Sequence, residues 1–154
     1  MSHASIQRQQ IAQAVVDQYL SQDLIYGERD CAHLAGSVLD AFEIAHPLAT
    51  AGKFKSVVQA ARALKKAGFN DLAEAVDSTG LVRIGAASAL PCDLIAVRAP
   101  DFIGGWSLGV VVGPNKALAF IEHEGRIFAD TANLLELIVL SAGEGCETIA
   151  WRVA

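Results

Sequence analysis

YGERDCAHLAGSVLDAF, Tyr26 to Phe42, is the stretch on which the fold turns. Loop-like residues give way at Asp30 to an apolar pattern in which Leu34, Val38, Leu39 and Phe42 share one face of a helix. Asp30 suits the N-cap, because its carboxylate can accept N–H groups that a first helical turn leaves unpaired. Cys31 follows, so a thiol sits where those N–H groups concentrate partial positive charge. That field lowers a thiol pKa; Arg29 adds to the effect and Asp30 opposes it. The pattern fits a nucleophile. It fits equally a small apolar residue buried under the helix, the usual fate of a free cysteine. A thiol hydrolase needs in addition a base within reach of the sulfur and a third group that orients the base.

The helical period extends to both sides of this stretch. Ile11, Val15 and Tyr19 recur every four residues within Ser5 to Leu20. The helix opened by Asp30 runs to Ala45, and His46-Pro47 ends it, since proline disfavours helical geometry in the residue before it. A third helix covers about Ser56 to Ala67, with Val57, Ala61 and Leu64 inward and Gly68 as C-cap. Asn70 then caps a short fourth helix through Val76. Beyond Gly80 the apolar period shortens to that of strands: LVRIG (Leu81 to Gly85), DLIAVRA (Asp93 to Ala99), WSLGVVV (Trp106 to Val112), ALAFIE (Ala117 to Glu122), RIFAD (Arg126 to Asp130) and a closing TIAWRV. HEGR, His123 to Arg126, reads as a hairpin turn. Asn133 to Ser141 fits a helix or a buried strand. Helices first and strands later imply one α+β domain over residues 1–154, with N-terminal helices packed on an antiparallel sheet.

Several function classes drop out. The net charge is -5 and the basic residues are scattered, so no field exists to hold nucleic acid. The densest basic stretch, Lys53 to Lys66, reads as a solvated helix face. Cys31, Cys92 and Cys146 are odd in number and widely spaced, and His3, His33, His46 and His123 form no metal-binding spacing, so neither a disulfide framework, a metal site nor a cofactor is expected. No apolar run is long enough for a membrane span. The start, MSHASIQRQQ, lacks a signal-peptide core, which points to synthesis in the cytosol. Gly104-Gly105 is no phosphate loop, since no Gly-Lys pair or following helix accompanies it. With 53% hydrophobic against 19% charged residues, the chain fits a core-rich domain or one that hides a face against a partner. Trp106 is the candidate interface anchor, Trp151 reads as core, and Cys146 reads as an incidental loop residue.

In order, YGERDCAHLAGSVLDAF, LPCDLIAVRA (Leu90 to Ala99) and WSLGVVVG (Trp106 to Gly113) resemble the NlpC-type branch of papain-like cysteine peptidases. More narrowly, they resemble a family of small proteins encoded in phage and prophage tail gene clusters. The similarity spans about Leu20 to Val153 and includes the closing AWRV, Ala150 to Val153. It implies a papain-like fold with the cysteine at a helix start, a histidine base on the strand after a Gly-Asp turn, and a polar orienting residue on the next strand. Active members of that superfamily cut peptide bonds in bacterial peptidoglycan.

Carried onto this chain, the nucleophile position is Cys31. The base position, usually in His-Val-Gly-Ile, is Ser107, and a neutral serine cannot take a thiol proton near neutral pH. The orienting position falls at Ala119 or Phe120, and Cys92-Asp93 replaces the Gly-Asp turn. His123, in the hairpin turn, is the alternative base; His33 lies two residues from Cys31 and points to a different helix face. The expectation is a phage tail-tip or baseplate structural or assembly protein on a degenerate peptidase scaffold, made in the host cytoplasm and carried in the virion. Its partners would be other tail and baseplate proteins, with peptidoglycan as a further ligand. The alternative is an active cysteine endopeptidase or amidase that opens peptidoglycan during phage entry.

Overall fold

The structure, a computed structural model, describes residues 3–48, 56–99, 105–140 and 148–154. Lys53, Lys55, Gly104 and Cys146 lie outside the described residues. The helices are α1 (His3–Tyr19), α2 (Cys31–Ala41), α3 (Val57–Lys66), α4 (Leu72–Asp77) and α5 (Leu134–Leu140). The strands are β1 (Val82–Ile84), β2 (Leu94–Arg98), β3 (Trp106–Gly113), β4 (Lys116–His123), β5 (Arg126–Asn133) and β6 (Thr148–Arg152). They form a six-stranded sheet in the order β1-β6-β2-β3-β4-β5, antiparallel at every pairing. The expected α+β class, helices followed by an antiparallel sheet, is what the chain adopts. No helix among the described residues is long and apolar enough to cross a membrane.

Local chemistry sets the element ends, and several differ from the sequence expectation. Asp30 caps α2 as expected, accepting the N–H of His33 at 2.9 Å. The helix then stops at Ala41, short of His46-Pro47. Glu43 takes a left-handed φ of 57° there, while the N–H of Ile44 bonds Leu39 O and that of Glu43 bonds Asp40 O. This is a Schellman cap with glutamate where glycine is usual, so the stop carried no glycine signal. α3 ends in the same bond pattern with Gly68 at φ 97°, the position expected from sequence. The cap of α4 is Asp71, which accepts the N–H of Glu74, and Asn70 gives its own N–H to the Glu74 carboxylate. Asn133 accepts the N–H of Glu136, which settles the ambiguous segment as helix α5. In the β4–β5 hairpin Glu124 and Gly125 have φ of 52° and 80°, as a two-residue type I′ turn demands.

Strand alternation divides the core in two. Leu94, Ala96, Leu108, Val110, Leu118, Phe120, Ile149 and Trp151 face α1, α2 and α4 in the larger cluster. Ile95, Val111, Ala117 and Ala150 face the other way, where Leu134, Leu137 and Ile138 of α5 partly cover them. The close approach of β3 to β4 requires glycine at Gly109, since a Cβ there would lie 2.9 Å from the Leu118 carbonyl oxygen.

The two halves are joined by a buried carboxylate. Cys92 turns the chain at φ 77°, a conformation that suits glycine, and delivers Asp93 into the interior at 0% exposure. Asp93 accepts from Arg8 of α1 at 2.5 Å, Arg152 of β6 at 2.9 Å, and the N–H groups of Leu90 and Val153. Arg8 also bonds the Val153 carbonyl. Asp77 does similar work further along, accepting from the Trp151 indole at 2.9 Å and from Arg83.

Candidate functional site

The N-terminus of α2 brings together Asp30, Cys31, His33 and the preceding Tyr26. Asp30 is fully buried and accepts the Gly27 N–H at 2.9 Å, the His33 N–H at 2.9 Å and His33 Nδ1 at 2.7 Å. Since an ionised carboxylate only accepts, the ring proton of His33 sits on Nδ1. Burial raises the Asp30 carboxyl, but the His33 ring and the two N–H groups outweigh it and leave the pKa below the usual value. The Asp30 hydrogen bond raises the His33 pKa against partial desolvation. Further along α2, Ser37 donates to the His33 carbonyl and meets the Tyr19 hydroxyl at 3.0 Å.

Cys31 is 2% exposed, and burial pushes its thiol up to about 12. The backbone N–H of Leu108 reaches the sulfur and lowers the pKa in part, while Asp30 raises it further. The helix-start field is thus overridden by desolvation. No hydrogen bond joins the sulfur to an imidazole or to Ser107 among the described residues. Cys92 is likewise buried; its thiol donates to the Arg8 carbonyl at 3.0 Å, and burial raises its pKa to about 11.

Ser107 does not face the thiol. Leu108 and Val110 belong to the helix-side core, so alternation turns Ser107 to the opposite face of the sheet. There it lines an apolar groove of about 160 Å³ with Ile95, Val97, Gly109, Ala119 and Ile121, closed on one side by Leu137 of α5. Ser107, at the expected base position, and Ala119 and Phe120, the two candidates for the orienting position, all line this groove, and none can act as or orient a base. His123 is 71% exposed in the hairpin, where its Nε2 lies 4.0 Å from the Glu124 carboxylate, and among the described residues it makes no hydrogen bond to the buried thiol. The reading of Trp106 as an open anchor is corrected: it is 5% exposed in the core, with the Arg98 guanidinium 4.8 Å from its ring centre. Among the described residues no group of three metal-ligating side chains occurs.

Three features of the structure do not follow from the sequence reading. The His33–Asp30 pair has an i, i+3 spacing from an N-cap aspartate, a visible signal, but the angle between His33 and Cys31 on the helix hides its relevance. The Asp93 cluster joins residues 85 and 59 positions apart, for which no local signal exists. The Leu108 N–H donor is a backbone group and leaves no trace in side-chain identity.

The Asp30–His33 pair makes a pH prediction. His33 has a raised folded pKa, so its contribution is fully present below its ordinary 6.5 and is lost as pH rises through the folded value. Asp30 has a lowered pKa, so its contribution is present above 3.8 and is lost as pH falls through the folded value. Stability from this pair should peak between those limits. Urea midpoints measured from about pH 4 to 9 should decline on the alkaline side in the native chain, and His33→Gln should flatten that limb. An identical decline in the variant would assign it elsewhere.

These features define an α+β domain with a buried thiol at a helix start that no imidazole among the described residues hydrogen-bonds. The chain belongs to a family known by the description Domain of unknown function (DUF6950), whose family model matches residues 5–137. No curated protein matches it.

Proposed function

We propose that this chain is a phage tail-tip or baseplate component, a structural or assembly protein that retains a papain-like, NlpC-type scaffold without its hydrolytic chemistry. The observation that carries the loss of chemistry is the burial of the thiol, with no imidazole hydrogen-bonded to it among the described residues. Cys31 is buried with its pKa pushed up to about 12, and the base position is a serine on the other face of β3. A papain-type reaction requires a thiolate, an imidazole that returns the proton to the leaving amine, and access for a carbonyl carbon. The tail location rests on the sequence resemblance, an associational ground; the virion and the tail proteins named as partners follow from it. Exposed Leu135 and Val139 on α5, at 54% and 72%, favour a role in binding a protein surface.

Two measurements test this reading. Incubated with muropeptides bearing intact stem peptides, the native chain and Cys31→Ala should release products at the same background rate. Purified phage particles should contain the chain in a fixed ratio to their baseplate proteins. Cleavage that disappears in Cys31→Ala would establish the alternative, a cysteine endopeptidase or amidase acting on peptidoglycan. Absence from the particle would end the tail reading.

A further inference from the structure

The sheet is not continuous along its whole width. Pairing of β3 with β4 runs from Gly113↔Lys116 to Gly109↔Ala119 and stops there. β2 and β3 stay paired out to Arg98↔Trp106, and β4 and β5 out to His123↔Arg126. Past Gly109 the sheet thus divides into two limbs, and at the division the Leu108 N–H turns to the Cys31 sulfur. The apolar groove lies in this notch, with Val97 and Ser107 from one limb and Phe120 and Ile121 from the other.

Two carboxylates stand at its margin. Asp130 is directly opposite Ala119, so its carboxylate stands on the groove face, where among the described residues it accepts the N–H of its neighbour Thr131. Glu136 is exposed on α5, next to the groove residue Leu137. Of the arginines on the strands around it, Arg126 pairs with Asp23 at 2.5 Å and Arg152 with Asp93, while Arg98, which follows the groove residue Val97, lies over the ring of Trp106, a residue of the helix-side core. Among the described residues neither Asp130 nor Glu136 has a cationic partner within 4.0 Å.

We propose that the notch receives an extended, basic segment of a partner polypeptide, which places an aliphatic side chain in the groove and a lysine or arginine against Asp130. An extended chain suits the site because β3 and β4 stop pairing with each other at Gly109↔Ala119, so that beyond the Leu108 N–H, which the Cys31 sulfur takes, their facing edges are not joined to each other, the situation exploited in strand addition. An aliphatic side chain suits it because the walls are Ile95, Val97, Ala119, Ile121 and Leu137 and the volume is about 160 Å³. The positive flank follows from the unmatched carboxylates. The inference deepens the binding role proposed above and rests on it.

The test uses the full chain, isotopically labelled, titrated with three short peptides: alternating lysine and valine, alternating glutamate and valine, and alternating lysine and serine. The lysine–valine peptide should bind saturably, with amide shifts centred on Ser107, Ala119 and Ile121. The other two should bind at least about tenfold more weakly, since each lacks one of the two complementary features. Ala119→Phe, which fills the groove, should abolish binding. Asp130→Lys, which alters only the rim, should reverse the preference towards the glutamate–valine peptide. The proposal falls if the lysine–valine peptide does not saturate, if its shifts lie elsewhere, if Asp130→Lys leaves the preference unchanged, or if the groove instead mediates concentration-dependent self-association. Particle assembly separates the two readings. A chain that stays in the particle with both substitutions sinks the groove and leaves the tail role standing. A native chain that binds the peptide but is absent from particles does the opposite.

Discussion

Asp93→Ala is expected to cost the fold about 3–5 kcal/mol, far more than the loss of a surface ion pair would. The carboxylate is 0% exposed and its partners do not leave with it. Arg8, only 14% exposed, would keep its charge in the interior between α1 and the end of β6, left among the described residues with the Val153 carbonyl and the Phe42 ring. Arg152 is 35% exposed and can turn to water, so the loss on that side is smaller. The N–H groups of Leu90 and Val153 would also lose their acceptor. Breaking a buried pair from one side is costly because it strands the other charge, whatever the intact pair contributes. Urea unfolding should show the midpoint falling at an unchanged slope. A double variant with Arg8→Met should recover part of the loss, because it removes the stranded charge as well. A single variant within about 0.5 kcal/mol of the native chain would show that water replaces the carboxylate freely.

Asp93 also shows where sequence reading stops. The strands were legible because each is a short run of β-branched and aliphatic residues between turn-forming residues. HEGR identified its hairpin for the same reason, as glycine supplies one of the positive φ values that the turn requires. The start of α2 was legible through Asp30, whose side chain acts on its own neighbours. Its end was not, because Glu43 adopts a left-handed φ that its residue type disfavours, and the backbone bonds to Leu39 and Asp40 that close the helix leave no mark in residue type. Likewise Cys92 occupies a glycine-like φ with a buried side chain, which only the Asp93 cluster explains. Trp106 was misread because a tryptophan at a strand start looks the same in sequence whether a neighbour covers it or solvent does. At the candidate site, residue identity put a serine at the position where the resemblance implies a base. The face on which Ser107 lies followed only from register, since a shift of one residue would turn it towards the helices.

Native Cys31 should react with iodoacetamide near neutral pH at least about a thousandfold more slowly than an unhindered thiol. A pKa of about 12 in place of 9.0 alone cuts the thiolate fraction by that factor, and only the thiolate attacks. The 2% exposure slows it further, because the reagent must wait for the start of α2 to part from β3. Labelling should then follow the opening equilibrium. It should rise steeply across the urea transition, and Asp30→Ala should accelerate it by loosening the cap that anchors the first turn. Peptide mapping after timed quenching resolves Cys31 from Cys92, whose thiol is also buried and also pushed up, to about 11. The comparison discriminates between functions as well as structures. A working thiol nucleophile must be both accessible and readily ionised in the native state, because its substrate meets it there. Fast modification of Cys31 in native buffer would mean that the Leu108 contact and the core around the sulfur open readily, and the peptidase reading would return with His33 as the nearest imidazole in sequence. Slow, denaturant-gated modification would leave Cys31 with a packing role, its sulfur held by a strand N–H that the split sheet leaves over.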